Sequence, residues 1–139
     1  MINEPPCGVL VADKPCGPTS QDIVARVRQF LKVKVGHTGT LDPMATGVLP
    51  LVVGRATRLA QFYQAHDKEY GAEIRLGQIT DTFDREGKIL EKHPVPEISS
   101  QLAQSVLSRF KGEIQQQPPM FSAVKVGGER LYNLARQNL

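Results

Sequence analysis

One loop of the sequence places a carboxylate, an imidazole and several small hydroxyl groups within a few residues. It runs from Gly36 to Gly47 and includes His37, Thr38, Thr40 and Asp42. A carboxylate can act as a nucleophile, and an imidazole can transfer protons near neutral pH. The glycines permit backbone angles that other residues resist and allow a ligand to approach the main chain closely. The loop is therefore a candidate site for chemistry centred on Asp42.

A structural role for the same residues also fits the pattern. Pro43 biases Asp42 towards an extended backbone, which would aim its carboxylate, but Asp followed by Pro is also typical of a helix N-cap. His37 can be an ordinary hydrogen-bonded loop residue. A Walker-type phosphate loop is excluded because no Gly-Lys-Ser/Thr follows the glycines. The loop also lacks the second carboxylate of a glycosidase-type pair.

The elements around this loop follow from hydrophobic patterning. An apolar run at 8–13 predicts a buried strand, and a second run at 48–54 predicts another. Thr19, with Asp22 three residues later, predicts a capping box at the start of a helix over 19–32. The apolar residues of this helix recur at helical spacing: Ile23, Val24, Val27, Phe30 and Leu31. A structured loop is expected over 35–47.

The rest of the chain continues to alternate between helices and strands. The pattern predicts a short helix over 55–65, a half-buried strand over 68–76, a polar turn over 80–87 and a strand over 88–92. A second amphipathic helix opens at Ser99 or Ser100. Strands are predicted at 113–117 and 123–126, with a glycine turn and a helix after the latter. Because repeated βαβ units are missing from this pattern, we predict an α+β fold with a mixed, largely antiparallel sheet and flanking helices.

Composition and charge narrow the class of protein. The chain has 139 residues, of which 40% are hydrophobic, enough for one domain with a real core. No apolar run approaches the roughly 18 residues of a membrane-spanning helix. The N-terminus does not resemble a signal peptide. Cys7 and Cys16 show neither the spacing of metal ligands nor that of a redox pair. A cytoplasmic protein with reduced thiols is expected. Between 14 and 58, seven basic residues stand against two acidic ones, a stripe that could attract a phosphate backbone or form a solvated helix face.

Four ordered stretches resemble the TruB family of pseudouridine synthases. The central one is 36–43 (GHTGTLDP), followed by Ala45, Gly47 and Leu49. Its aspartate is the residue that pseudouridine synthases share. The other matching positions are Lys14, Pro15, Gly17, Thr19 and Ser20; then Lys68, Tyr70, Leu76, Gly77, Thr80, Asp81, Thr82, Asp84 and Gly87; then Gln117, Pro118, Pro119, Phe121, Ser122, Ala123, Lys125, Gly128, Arg130, Tyr132, Ala135 and Arg136. The resemblance covers nearly the whole chain.

The resemblance implies a pseudouridine synthase-like fold and an enzyme that isomerises uridine to pseudouridine at position 55 in the T-loop of tRNA. Asp42 would be the nucleophile, acting after the target base has been flipped out. Tyr70 would stack on that base, although packing on the core also fits it, and His37 would help to displace the base. No cofactor or metal is implied, because substrate and product are isomers.

The implied RNA-binding residues are Lys14, Thr38, Thr40, Lys125, Arg130 and Arg136. For Lys14, a structural role stays open beside a phosphate contact. The oxygen-rich segment with Asp81, Thr82 and Asp84 is expected to organise a turn rather than to bind a metal. The expected partner is the T stem-loop of tRNA, bound by a monomer that uses neither a membrane nor a guide RNA.

The resemblance also implies that 1–139 is part of a catalytic domain in which about 117–139 form an inserted segment that grips RNA. Family members continue with an arginine motif that pairs with the catalytic aspartate, and this C-terminal remainder is absent from the sequence. A carboxylate without that arginine loses charge compensation, so we expect little or no activity from the chain alone. Three alternatives stay open: a relative that works in a guide-RNA particle, an RNA-binding or RNA-folding module without turnover, and a nucleotidyl transferase using His37 and Gly39.

Overall fold

The computed structural model describes residues 4–116 and 125–130. The chain divides into two compact units, Met1–Tyr70 and Gly71–Leu139. Both units combine helices with antiparallel strand pairs, which confirms the predicted α+β class. Within the described ranges, none of the helices has the length and apolar character needed to cross a membrane. Cys7 and Cys16 are both free thiols on exposed residues.

The first unit is built on a three-stranded antiparallel sheet with the order β1-β3-β2. Its strands are β1 (Gly8–Lys14), β2 (Val35–His37) and β3 (Gly47–Val53). The register pairs Gly8 with Val53 at one end of β1 and Lys14 with Gly47 at the other. The strand β2 lies within the segment that the sequence predicted to be a loop.

Helix α1 (Ser20–Leu31) packs on one face of this sheet. Its N-terminus carries the predicted capping box, in which the side chains of Thr19 and Asp22 each bind the other's backbone N–H. Val24 of α1 joins Val35 of β2 and alternate residues of β3 in a buried core. Phe30 does not join them, because its side chain is 85% exposed despite its helical spacing.

The predicted helix over 55–65 is present as two short consecutive elements. A 3-10 helix covers Gly54–Leu59, and α2 covers Ala60–Gln64. After α2 no strand forms before Gln78, so the strand predicted over 68–76 is wrong.

The second unit begins with an antiparallel pair, β4 (Gln78–Thr80) and β5 (Ile89–Lys92), joined by the predicted polar turn. Helix α3 (Ser100–Leu107) opens at Ser99, whose hydroxyl accepts the N–H of Leu102, and a 3-10 helix over Ser108–Phe110 follows. Residues 113–116 form no strand. A two-residue pair, β6 (Lys125–Val126) and β7 (Glu129–Arg130), encloses the glycine turn. The predicted helix beyond it lies outside the described residues.

Candidate active site

The loop that carries Asp42 connects β2 to β3 at the end of the sheet where Lys14 pairs with Gly47. Thr38 begins it, and its N–H and hydroxyl both donate to the carbonyl of Pro50, at 3.1 and 3.3 Å. Gly47 ends the loop with a φ of +123°, a backbone region that favours glycine. The other two glycines of the loop, Gly36 and Gly39, do not adopt positive φ. The predicted backbone freedom is therefore used at one of the three positions.

Lys14 binds the main chain of this loop through its side chain. Its side chain is fully buried, and Nζ donates to the carbonyl oxygens of Pro15, Pro43 and Ala45 at 3.0, 3.2 and 2.7 Å. An ammonium group has three donors, so all of them are used within the protein. Of the two roles that the sequence left open for Lys14, this geometry favours the structural one.

Ser20, the first residue of α1, binds the loop on the other side of Asp42. Its hydroxyl accepts the N–H of Leu41 at 2.9 Å and donates to the carbonyl of the same residue at 3.1 Å. Leu41 also packs against the core. Sequence reasoning assigned no role to Ser20, although it belongs to the first motif of the chain, the matching positions Lys14, Pro15, Gly17, Thr19 and Ser20.

The backbone of Asp42 lies in a turn and not at the start of a helix. The N–H of Ala45 donates to the carbonyl of Asp42 at 3.0 Å, and the chain passes through Pro43 and Met44 directly towards β3. The helix N-cap interpretation of Asp42 is therefore wrong. The carbonyl of Pro43 accepts the N–H of Gly17 at 2.8 Å in addition to the Lys14 bond. Both neighbours of Asp42 are thus tied to the first motif of the chain.

The Asp42 side chain takes no part in this network. The residue is exposed, and among the described residues its carboxylate takes part in no hydrogen bond or ion pair. An exposed carboxylate on a fixed backbone keeps its lone pairs available to an incoming molecule. This arrangement suits a nucleophile that must meet a macromolecular substrate.

His37 lies at the last position of β2, where it pairs with Leu51. The residue is half-buried, and its Nδ1 is buried without a hydrogen-bond partner in the described structure. A buried polar atom without a partner is unfavourable. Thr38, next to it, is buried, whereas Thr40, two residues before Asp42 in the sequence, is exposed.

Comparison with known proteins identifies the family. A model of the TruB family pseudouridylate synthase (N terminal domain) matches residues 27–139. The chain belongs to the TruB family. The matched range contains the whole 36–47 loop.

Individual TruB relatives agree with this assignment. The chain is 50% identical over 133 residues to a tRNA pseudouridine synthase B of Clostridium tetani, covering 95% of this chain and 46% of the relative. It is 53% identical over 131 residues to the protein of the same name from Caldanaerobacter subterraneus, covering 94% and 46%. A solved chain of a Cbf5-Nop10-Gar1 complex is 32% identical, with a TM-score of 0.57, over 85% of this chain and 31% of that chain. The chain therefore spans about half the length of the TruB relatives it matches.

The remaining predicted site residues do not all belong to the unit that carries the loop. Tyr70 ends the first unit and is 66% exposed, so it does not pack in the core. No hydrogen bond or aromatic pair within the described ranges joins it to the Asp42 loop. Lys125 and Arg130 stand opposite each other on β6 and β7 in the second unit. Arg136 lies outside the described residues.

Six of the seven basic residues in the 14–58 stripe are exposed, and Lys14 is the exception. Four of the six lie near the end of the sheet where Val35 pairs with Val53: Lys32, Lys34, Arg55 and Arg58. At about 3.3 Å per residue along β3, this end is roughly 20 Å from Gly47. Most of the exposed positive charge of the stripe in this TruB chain therefore lies at the end of the sheet opposite the Asp42 loop.

The segment with Asp81, Thr82 and Asp84 is organised as a turn, as predicted. Asp84 Oδ1 accepts the Thr82 hydroxyl at 2.6 Å and the N–H groups of Glu86 and Gly87 at 2.8 and 3.2 Å. The Thr82 hydrogen bond, assisted by the two N–H groups, lowers the pKa of the Asp84 carboxyl. Asp81 Oδ1 accepts the N–H of Lys88. The side-chain oxygens are thus used to close the hairpin between β4 and β5.

Proposed function

We propose that the protein converts uridine to pseudouridine at position 55 in the T-loop of tRNA, with the Asp42 carboxylate as nucleophile. One observation carries this proposal. Among the described residues, the exposed Asp42 carboxylate has no hydrogen-bond or ion-pair partner, and its backbone is fixed on both sides within the range that the TruB family model matches. The names of relatives at about 50% identity support tRNA as the substrate class.

The reaction requires a nucleophile but no cofactor. The bond between N1 of the uracil and C1′ of the ribose breaks, the base turns, and C5 forms a bond to C1′. The C5 proton leaves and N1 ends with a proton, so the product is an isomer of the substrate. A carboxylate can form a transient bond at a sugar carbon or add to the base, and both routes suit Asp42.

The base must leave the folded loop of the RNA before the carboxylate can reach it. We infer that His37 helps to displace the base and that Tyr70 stacks on it. The exposure of Tyr70 supports this role, and stacking on an aromatic ring contributes about 1–3 kcal/mol per base. His37 is half-buried, so part of the residue is accessible to an RNA group.

RNA binding is proposed to rest on phosphate contacts and on the shape of the T-loop. The exposed Thr40 and the basic positions Lys125, Arg130 and Arg136 would contact the RNA, with 117–139 gripping it. Thr38 and Lys14, both buried, would act through the loop they support. The proposed protein is a cytoplasmic monomer that works without a guide RNA.

The test is pseudouridine formation in an unmodified T-arm hairpin. The 139-residue chain is compared with a chimera in which it replaces the aligned part of the full-length Clostridium tetani relative, each with and without Asp42→Ala. We expect the chimera to be active, the isolated chain to be inactive or nearly so, and Asp42→Ala to abolish turnover. Asp84→Asn, which changes a carboxylate in the second unit, is the matched control. An Asp42→Ala chimera that still forms pseudouridine would refute the proposal.

A second function, an RNA-binding or RNA-folding module without turnover, is favoured by one observation. The Asp42 carboxylate has no cationic partner among the described residues. Under this alternative the isolated chain binds the hairpin with salt-sensitive affinity, and Asp42→Ala leaves the dissociation constant unchanged. An inactive chimera together with such binding would favour the module over the enzyme.

A further inference from the structure

We propose that Ser20 is a positioning residue for the Asp42 nucleophile. The proposal rests on the proposed function of Asp42 and adds a residue to which no role has been assigned. It is carried by two hydrogen bonds between the Ser20 hydroxyl and the main chain of Leu41, the residue immediately before Asp42.

The two bonds hold Leu41 through its backbone N–H and its carbonyl. The hydroxyl accepts the Leu41 N–H at 2.9 Å and donates to the Leu41 carbonyl at 3.1 Å. That carbonyl belongs to the peptide plane whose nitrogen is the amide of Asp42. Orienting the plane therefore limits the φ angle of Asp42, since φ is the rotation about the bond between its N and Cα.

The other torsion of Asp42 is limited from the opposite side. The Ala45 N–H donates to the Asp42 carbonyl at 3.0 Å, and Lys14 Nζ and the Gly17 N–H hold the next carbonyl, of Pro43. With both peptide planes set, the carboxylate can move only through its side-chain torsions. Ser20 is the sole side chain in the described structure that bonds to the plane before Asp42, so the control of φ depends on this one hydroxyl.

Ser20 is itself well placed to act as a fixed point. It is 2% exposed and forms the first residue of α1. Ser20 lies between Thr19 and Asp22, the two residues of the capping box, and the helix packs on the sheet through Val24. The hydroxyl is thus attached to a rigid element, while the carboxylate it positions lies on an exposed loop. A residue with this arrangement affects the rate of the chemical step more than the binding of RNA, because it is buried and its hydroxyl bonds the Leu41 main chain and not the carboxylate.

The test uses two pairs of variants that differ only in the hydroxyl. Ser20→Ala is compared with the natural serine, and Ser20→Val with the isosteric Ser20→Thr, so any effect of an added methyl group cancels within the second pair. Turnover is measured in the active chimera described above, together with the dissociation constant for the T-arm hairpin. Ser108→Ala is the control, since the Ser108 hydroxyl makes one bond to a helix carbonyl in the second unit.

We expect the kcat of each hydroxyl-free variant to fall about 10- to 100-fold below that of its hydroxyl-bearing partner, the size of effect produced by a misplacement of about 1 Å. The dissociation constant should stay within about twofold, and Ser108→Ala should change neither value. In the 139-residue chain, exchange of the Leu41 amide hydrogen should accelerate roughly tenfold in Ser20→Ala.

Three outcomes separate the possibilities. Equal kcat within both pairs, in a chimera that needs Asp42, would overturn the role of Ser20 and leave the proposed function intact. Loss of RNA affinity in parallel with kcat would also overturn it, since a positioning residue acts on the rate. If Asp42→Ala itself stays active, the proposed function fails, and the exchange of the Leu41 amide still shows whether Ser20 holds the loop. Should Ser20→Ala fail to fold, the Thr and Val pair decides.

Discussion

Replacing Lys14 with methionine tests the reasoning about the loop most directly. Methionine keeps an unbranched chain of similar length and removes the three N–H donors. The carbonyl of Pro43 keeps its bond from the Gly17 N–H, and the carbonyl of the exposed residue Pro15 can bond to water. The carbonyl of Ala45, 2.7 Å from Nζ, has no second donor among the described residues.

The magnitude follows from these three bonds. A hydrogen bond to a charged group contributes about 1.5–3 kcal/mol, and a buried acceptor left without a donor costs about 1–3 kcal/mol. Against this, the variant no longer buries a charged group, which relieves part of the desolvation penalty. We expect a net loss of about 2–3 kcal/mol. The first unit has about 70 residues, so its whole free energy of unfolding is about 4–10 kcal/mol.

The assay is urea unfolding followed by the NMR amide signals of Leu51 and Val52 in β3, which report on the first unit alone. Lys68→Met is the matched control, because Lys68 Nζ donates to the carbonyls of Gln64 and His66 in an exposed setting. Its loss should cost less than about 1 kcal/mol. An equal loss of unfolding free energy in Lys14→Met and Lys68→Met would show that the buried hydrogen bonds of Lys14 stabilise the unit no more than exposed ones do.

The same variant also separates the two roles that the sequence left open for Lys14. Removing a residue that neutralises one phosphate makes the plot of log affinity against log salt concentration less steep by about 0.7–0.9. Because Lys14 Nζ is buried and bonded within the protein, Lys14→Met should leave this slope for the T-arm hairpin unchanged. A slope reduced by close to one would mean that Lys14 contacts RNA.

Three further predictions concern single interactions. Thr19→Ala removes the side-chain acceptor for the Asp22 N–H and should lower the free energy of unfolding of the first unit by about 1 kcal/mol in the same urea titration. Because the pKa of Asp84 is lowered in the folded state, its contribution to the free energy of unfolding is fully present above the unfolded-state pKa. This contribution is lost as pH falls through the folded-state pKa. Urea titrations of the second unit should therefore show a loss of stability below about pH 4 that is smaller in Asp84→Asn. Gly54→Ala should lower the free energy of unfolding by about 2 kcal/mol in thermal unfolding, because Gly54 has a φ of +61° and an added Cβ would lie 2.5 Å from the Pro6 carbonyl oxygen. Gly39→Ala is the control and should leave stability nearly unchanged, because a Cβ added there meets nothing within 4 Å.

Local signals predicted the elements that local interactions determine. The capping box at Thr19 and Asp22 marked the start of α1 because both of its hydrogen bonds lie within four residues. The apolar runs at 8–13 and 48–54 identified β1 and β3 because each carries enough apolar residues to be recognised by itself. For these elements the sequence pattern and the structure agree to within one or two residues.

Elements that depend on a partner strand could not be predicted in this way. Val35–His37 contains a glycine and has no alternation, yet it forms β2 because β3 supplies its hydrogen bonds. The segment 68–76 alternates well but has no partner among the described residues, and Tyr70, Ile74 and Leu76 are exposed. Alternation shows which faces a strand would have, whereas a strand exists only if another strand pairs with it.

The site itself is determined by register, and this explains why its parts are far apart in the sequence. Opposite residues share a face of an antiparallel pair, so Ala12 lies beside Leu49 and Lys14 beside Gly47 on the face that α1 covers. A slip of one residue would move Lys14 to the opposite face and separate its Nζ from the Pro43 and Ala45 carbonyls. Burial of Leu49 and Leu51 opposes that slip. The position of the Asp42 carboxylate therefore depends on hydrophobic residues that never touch it, and their substitution should lower activity through the loop.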